Sequence, residues 1–264
     1  MIEFKSSELQ HIKHLRNSYF YEVKLAQELF IEWMVRDGKY FRIYNNTQEV
    51  GYFIIDKENI LLEFYLITDI LYMKEAIFNK IIQDHIIKKV YCKSFDHILL
   101  TCSHLFATSS KVIGVVFRDY TKGINIDYEN QFKVRLANKS DLPFLLSYDD
   151  TDLYQSPEEL RYSVSNNMVF MFERENQFIG CGYLIKILSD KNYYDIGMWT
   201  NPELRRQGYA SMIVSYLKRH CFSHNYTPVC GCSTDNKISR RTFEKNGFIS
   251  KHCIIEFDIQ EKII

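Results

Sequence analysis

In the first forty residues the apolar positions Leu25, Leu29, Ile31, Trp33 and Met34 fall near helical spacing and Gly38 follows as a stop, so this stretch reads as helix. Strand chemistry comes next. Tyr40 to Tyr44, Val50 to Ile55 and Ile60 to Ile67 are rich in β-branched and aromatic residues, and Asn45-Asn46-Thr47-Gln48 is a turn signal between the first two. A helix from about Met73 to Ile87, a strand at Lys89 to Lys93, a short helix around Ile98 to Leu105 and a strand at Val112 to Tyr120 complete the first half. Thr121 to Gln131 is polar and turn-rich and reads as a linker.

Beyond the linker the order of elements starts again. Phe132 to Leu136 is a strand, and Ser140-Asp141 caps a helix through Leu146. Ser156-Pro157-Glu158-Glu159 combines proline at a first helical position with a Ser-x-x-Glu capping box, which predicts a helix from Pro157. Strands at Val169 to Glu173, Phe178 to Ile187 and Tyr193 to Thr200 precede a helix from Gly208 to His220. A strand at Val229 to Cys232, a helix from Lys237 to Lys245 and a strand at Cys253 to Ile259 end the chain. YFRIYNNTQEVG (Tyr40 to Gly51) and VFMFERENQFIG (Val169 to Gly180) overlay without a gap and share Gln48 with Gln177 and Gly51 with Gly180. That overlay, with the matching order of elements, predicts an internal repeat of about 130 residues.

Composition narrows the function classes. The 264 residues are 46% hydrophobic and 25% charged, which excludes disordered and fibrous classes. Lys plus Arg and Asp plus Glu number 33 each, so no overall basic field draws the chain to nucleic acid or anionic lipid. The longest apolar run, ILLEFYLITDILYM, is broken by Glu63 and Asp69, so no membrane partner is expected. Seven scattered cysteines and an N-terminus without an apolar signal core fit a reducing cytoplasm. Cys221, His224, Cys230 and Cys232 match no common zinc spacing, and two of them fall on a strand; no metal is expected.

The chemistry concentrates in TNPELRRQGYASMIVSYLKRH. An apolar strand ends at Thr200, a loop carries Arg205 and Arg206 to Gly208, and an amphipathic helix begins. Unpaired amides converge at such a helix start and the helix dipole adds positive potential, so the segment is an anion site that suits a pyrophosphate, with both arginines at its rim. Asn236-Lys237-Ile238-Ser239-Arg240-Arg241-Thr242-Phe243-Glu244-Lys245-Asn246-Gly247-Phe248 comes after it, with one strand between the two segments.

With both segments in view the chain resembles the GNAT superfamily of acyl-CoA-dependent N-acyltransferases. Arg205-Arg206-Gln207-Gly208-Tyr209-Ala210 is similar to the family's pyrophosphate loop, and Asn236, Ser239, Lys245 and Gly247-Phe248 to its second motif. The resemblance covers residues 132 to 259 closely and the first half by element order. It implies an α/β (α+β) protein of two GNAT-like halves, each a mixed, mostly antiparallel twisted sheet flanked by helices. Residues 1–130 are then a degenerate domain without a CoA loop, and 131–264 the acetyltransferase domain. The same resemblance implies acetyl-CoA or another acyl-CoA as co-substrate. Met198, Trp199 and Thr200 would offer a strand edge, Arg205, Arg206, Gln207, Gly208, Tyr209, Ala210 and Ser211 the pyrophosphate seat, and Asn236, Ser239 and Phe243 further contacts. The acceptor would be an amine of a small molecule or peptide.

Two positions depart from the family pattern. Phe243 stands where a tyrosine would protonate the leaving sulfur, and Gly231 where some members keep a glutamate. Asp195 and Tyr194 are the remaining candidates for a base. These departures keep open an acyl-CoA sensor without turnover, and the pairing of two halves of this fold, which some such enzymes share, keeps open a transferase that draws its acyl group from aminoacyl-tRNA. In the first half Ile67-Thr68-Asp69-Ile70-Leu71-Tyr72 replaces the loop with neither glycine nor arginine, so no second CoA site is expected there.

Overall fold

A computed structural model describes residues 1–121, 123 and 132–259. In chain order the elements are β1 (Ile2–Ser7), α1 (Leu9–Val23), α2 (Leu29–Arg36), β2 (Lys39–Asn45), β3 (Gln48–Ile55), β4 (Ile60–Leu66), α3 (Lys74–His85), β5 (Lys89–Lys93), α4 (His97–Phe106), β6 (Ala107–Phe117) and β7 (Asp119–Tyr120). Then come β8 (Lys133–Leu136), α5 (Leu142–Leu146), α6 (Pro157–Ser165), β9 (Val169–Arg174), β10 (Gln177–Lys186), β11 (Tyr193–Thr200), α7 (Tyr209–Ser223), β12 (Thr227–Ser233), α8 (Lys237–Lys245), β13 (Phe248–Ile249) and β14 (His252–Ile259). Apart from Thr121 and Gly123, the expected linker lies outside the described residues. No helix among the described residues is long and apolar enough to cross a membrane.

The chain divides into two units. Unit 1 comprises Met1–Val116, Ser233–Asp235 and the stretch from Lys251 onward, and unit 2 comprises Phe117–Cys232 and Asn236–Ser250. In unit 1 the strand order is β1-β2-β3-β4-β5-β14-β6, antiparallel except between β4 and β5. One face packs on α1 and α2 through Ile12, Leu15, Ile31 and Val35. The other packs on α3 and α4 through Ile77, Phe78, Ile81 and Leu99. With a helical layer on both faces, β4 is buried at every position, which is why it is apolar at all of them but Glu63 rather than alternating.

Unit 2 repeats the plan with order β12-β11-β10-β9-β8, again antiparallel except between β11 and β12. Leu145 of α5 and Leu160 and Val164 of α6 cover one face together with Trp199. The predicted α6 start is present: the Ser156 hydroxyl accepts the Glu159 amide at 3.2 Å, while the Glu159 carboxylate takes the Gln155 amide at 2.8 Å.

Gly51 and Gly180 show that the two halves share more than element order. Each lies beside a register shift, and a Cβ there would sit 2.1 Å from Tyr65 O in unit 1 and 2.2 Å from Trp199 O in unit 2. The bulged residue before each glycine accepts the amide that ends the next strand, Ile67 N to Val50 O and Asn201 N to Ile179 O, both at 2.9 Å. Only glycine permits so close an approach of two backbones.

Two strands depart from the sequence reading. Ile2–Ser7, taken with the helix after it, is the edge strand β1 on β2, with the chain's amino group held by Asn46 Oδ1 at 2.6 Å. β14, expected to close the second half, is instead hydrogen-bonded between β5 and β6 of unit 1. Its Phe257 and Ile259 join one apolar cluster of that unit and Ile254 the other. An alternating strand pattern announces a half-buried strand, not the sheet that buries it.

Unit 1 also buries charge. Arg16 of α1 donates to Glu63 of β4 at 2.7 and 2.9 Å and to Glu32 of α2, Gln27 bridges Glu63 at 2.7 Å and Lys93 at 3.0 Å, and Tyr52 OH donates to Glu63 at 2.9 Å. Each oxygen of the Glu63 carboxylate thus accepts from two donors, as a buried carboxylate requires.

Candidate active site

In unit 2 the two parallel strands part. β11 and β12 pair at Tyr193 with Thr227, Tyr194 with Pro228 and Asp195 with Val229, and no further, although β11 stays on β10 as far as Thr200. Because the Asn201 amide points to β10, alternation turns the backbone groups of Trp199 the same way and those of Met198 and Thr200 outward, toward the seam. The Thr200 hydroxyl is buried there with no hydrogen-bond partner among the described residues. Unit 1 has the same divergence: β4 and β5 pair only at Ile60 with Lys89 and Leu61 with Val90.

The two units differ in the connection from this strand to its helix. After Thr200 a 3-10 turn at Pro202–Leu204 leads to Arg206 at φ 66° and Gly208 at φ 88°, and α7 starts with no side chain capping its first turn. The Tyr209, Ala210 and Ser211 amides are thus presented at the positive end of the helix. A Cβ on Gly208 would meet nothing within 4 Å, so the approach to those amides is open. Arg206 and Gln207 are exposed beside it. In unit 1, a 3-10 turn over Thr68–Met73 runs into α3 with no positive φ and no glycine.

The remaining sequence-nominated residues separate into different roles. The Arg205 side chain is 47% exposed and bonds back to the protein, its Nε donating to Thr200 O at 3.3 Å and its Nη2 to Asp150 Oδ2 at 3.2 Å. The Trp199 indole is buried on the α5–α6 face, so only its backbone belongs to the strand edge. Asn236 caps α8 by accepting the Ser239 amide at 3.0 Å. Phe243 is buried, its ring 5.5 Å from Phe117 and 6.0 Å from Phe248. The motif's spacing puts it on the inner side of an amphipathic helix, where apolar burial decides its role.

The two base candidates lie on opposite faces. A Cβ at Gly182 would touch Leu217 and Ile213 of α7, so its cross-strand partner Met198 and, by alternation, Tyr194 face α7. Tyr194 stacks on Tyr226 with centroids 4.0 Å apart, and burial together with that neighbour pushes its hydroxyl up to about 12. At neutral pH it keeps its proton. Asp195 faces the α5–α6 side with Trp199, at the last residue before the seam opens. Asp150, which the sequence reading did not single out, lies in the loop between α5 and α6 and accepts from both Trp199 and Arg205. Among the described residues no three His, Cys, Asp or Glu side chains group to hold a metal ion.

Residues 8–120 match the family model described as acetyltransferase (GNAT) domain, and residues 134–248 that described as acetyltransferase (GNAT) family. Among solved structures the chain is similar to an acetyltransferase from the GNAT family of Colwellia psychrerythraea, at 17% identity over 98% of this chain and 100% of that one, with a TM-score of 0.87. It is also similar to a tandem GNAT protein from the clavulanic acid biosynthesis pathway, at 7% identity over 97% of this chain and 98% of that one, with a TM-score of 0.61. No curated protein matches.

Proposed function

The chain belongs to the GNAT acetyltransferases, two of whose domains it carries in tandem, and from that membership we propose that unit 2 binds acetyl-CoA or a related acyl-CoA and transfers the acyl group to an amine. The family uses acetyl-CoA, whose thioester supplies an activated acyl carbon. The residues of unit 2 fit such a ligand: a strand edge facing an opened seam, a buried hydroxyl without a partner on that edge, and a glycine-opened helix start. The observation that supports the reading most is that seam and loop occur together in unit 2 alone.

Each group has a part. Met198 presents backbone N–H and C=O to the pantetheine amides, and Thr200 Oγ1 adds a hydroxyl beside them. The Gly208 to Ser211 amides and the α7 dipole hold the pyrophosphate, with Arg206 and Gln207 at its rim. The amine is held against the acyl carbon, and a backbone N–H of the strand edge stabilises the oxyanion. Asp195, on the α5–α6 face where the seam opens, takes the amine's proton through water. No tyrosine stands at position 243, so the thiolate leaves without a proton from that helix.

Calorimetry with CoA tests the reading. One CoA per chain is expected, with binding abolished by Gly208→Glu at unchanged folding and preserved by Asp69→Ala and Tyr72→Ala in unit 1. Two sites per chain, or none, would refute it. Turnover is read as free thiol released from acetyl-CoA across a panel of small amines and peptide N-termini. The core position of Phe243 favours one second reading, a sensor that binds acyl-CoA without transfer; CoA binding with no thiol released by any amine would support that one.

A further inference from the structure

Asp150 touches two parts of the CoA seat at once. Its Oδ2 accepts from Trp199 Nε1 at 3.0 Å and from Arg205 Nη2 at 3.2 Å, while its Oδ1 accepts the Asp152 amide at 2.8 Å and so fixes the carboxylate within its own loop. The loop in turn is tied to the sheet, because Tyr183 OH donates to Leu153 O. Trp199 is clamped from three sides, by Tyr148 at 4.9 Å, by Phe178 at 6.1 Å and by the Asp150 bond. On either side of that clamped residue lie Met198 and Thr200, the outward backbone of β11.

Arg205 uses its guanidinium inside this arrangement. Its Nε takes Thr200 O and its Nη2, on the same edge, takes Asp150, so the positive charge nominated for the pyrophosphate is already met by a carboxylate. Arg206, next in the chain, is exposed and has no hydrogen bond or ion pair among the described residues. The loop therefore carries two exposed cations, of which Arg205 is paired within the protein and Arg206 is not.

We infer that Asp150 is a positioning residue for CoA binding, holding the strand edge through Trp199 and the pyrophosphate loop through Arg205, and that Arg205 acts through Asp150 rather than on the ligand. This rests on the CoA-binding reading above. The carboxylate pre-sets both ends of the seat, which lowers the ordering that binding would otherwise require.

A double-mutant cycle on CoA affinity tests it. Arg205→Ala and Asp150→Ala are each expected to weaken CoA by about fivefold, the upper range for a partly exposed ion pair. Removing both should weaken it by about the same factor, because each acts through the other. Asp150→Asn, which keeps an acceptor for Trp199 but loses the charge, should fall between wild type and Asp150→Ala at unchanged melting temperature; this partial rescue is what a merely structural role would not produce. A double variant weaker by the product, about twenty-five-fold, or tighter binding by Asp150→Ala, would overturn the inference. Wild-type protein that gives no heat with CoA would overturn the binding reading itself, and the inference with it.

Discussion

Removing the chain from Lys251 onward should unfold unit 1, the unit built mainly from the other end of the sequence. β14 lies inside that sheet, paired with β5 on one side and β6 on the other. Its Ile254, Phe257 and Ile259 side chains are 1%, 0% and 9% exposed. At about 1.5–3 kcal/mol for each buried side chain, their loss removes roughly 5–9 kcal/mol. A whole domain is stable by only about 5–15 kcal/mol. The truncation also strands the inner edges of β5 and β6 without ladder partners and leaves Lys89 and Lys111 without Glu256. Phe257→Ala is the graded version, with a cost of about 3–5 kcal/mol. Hydrogen exchange read on peptides resolves the outcome by unit: β3 and β4 should lose protection while β9 and β10 keep theirs. Full protection of β3 and β4 in the truncated chain would refute the reasoning.

The twin glycines offer a second comparison. Gly180→Ala places a Cβ 2.2 Å from Trp199 O and should cost about 3 kcal/mol or more, whereas Gly197→Ala, with 3.5 Å to the nearest Tyr183 atom, should cost less than about 1 kcal/mol; equal melting temperatures would contradict the bulge geometry. A third concerns acid. Burial pushes the Glu63 carboxyl up, but the Arg16 guanidinium against it, with Lys93 and Tyr52, outweighs that and holds it below its ordinary value of 4.5. A lowered carboxyl contributes stability that is complete above its ordinary value and lost as pH falls through the lower folded one; Glu32 and Asp96, which burial raises, act earlier and with the opposite sign. Denaturation at a series of pH values should therefore show an acid limb in unit 1 that Glu63→Gln removes, at a cost of about 3–5 kcal/mol near neutrality. An unchanged limb in the variant would count against it.

Much of the fold is legible in the sequence because it depends on local rules. The β-branched and aromatic residues in Lys89 to Lys93 favour a strand, and a Ser-Pro-Glu-Glu start caps α6 without help from the rest of the chain. The helix start that we propose as the anion seat is legible for the same reason, since it takes only Gly208 and the first turn of α7. The features that escape a sequence reading depend on distant partners. β1 is half polar and becomes a strand only on β2. β14 carries no mark of its sheet. Asp150 looks like one acid among several in a polar loop, and only Trp199 and Arg205, 49 and 55 residues away, distinguish it. Nor does the motif say that the Phe243 ring packs against Phe117, 126 residues away.

The seam between β11 and β12 has its counterpart between β4 and β5. Unit 1 keeps the same parting of parallel strands although no glycine loop comes after it, so the parting does not depend on the loop. For the binding we propose, such a cleft belongs to the sheet itself, so association is expected to be governed by docking rather than by a folding step. Parting and loop are therefore separable features: unit 1 has the first without the second.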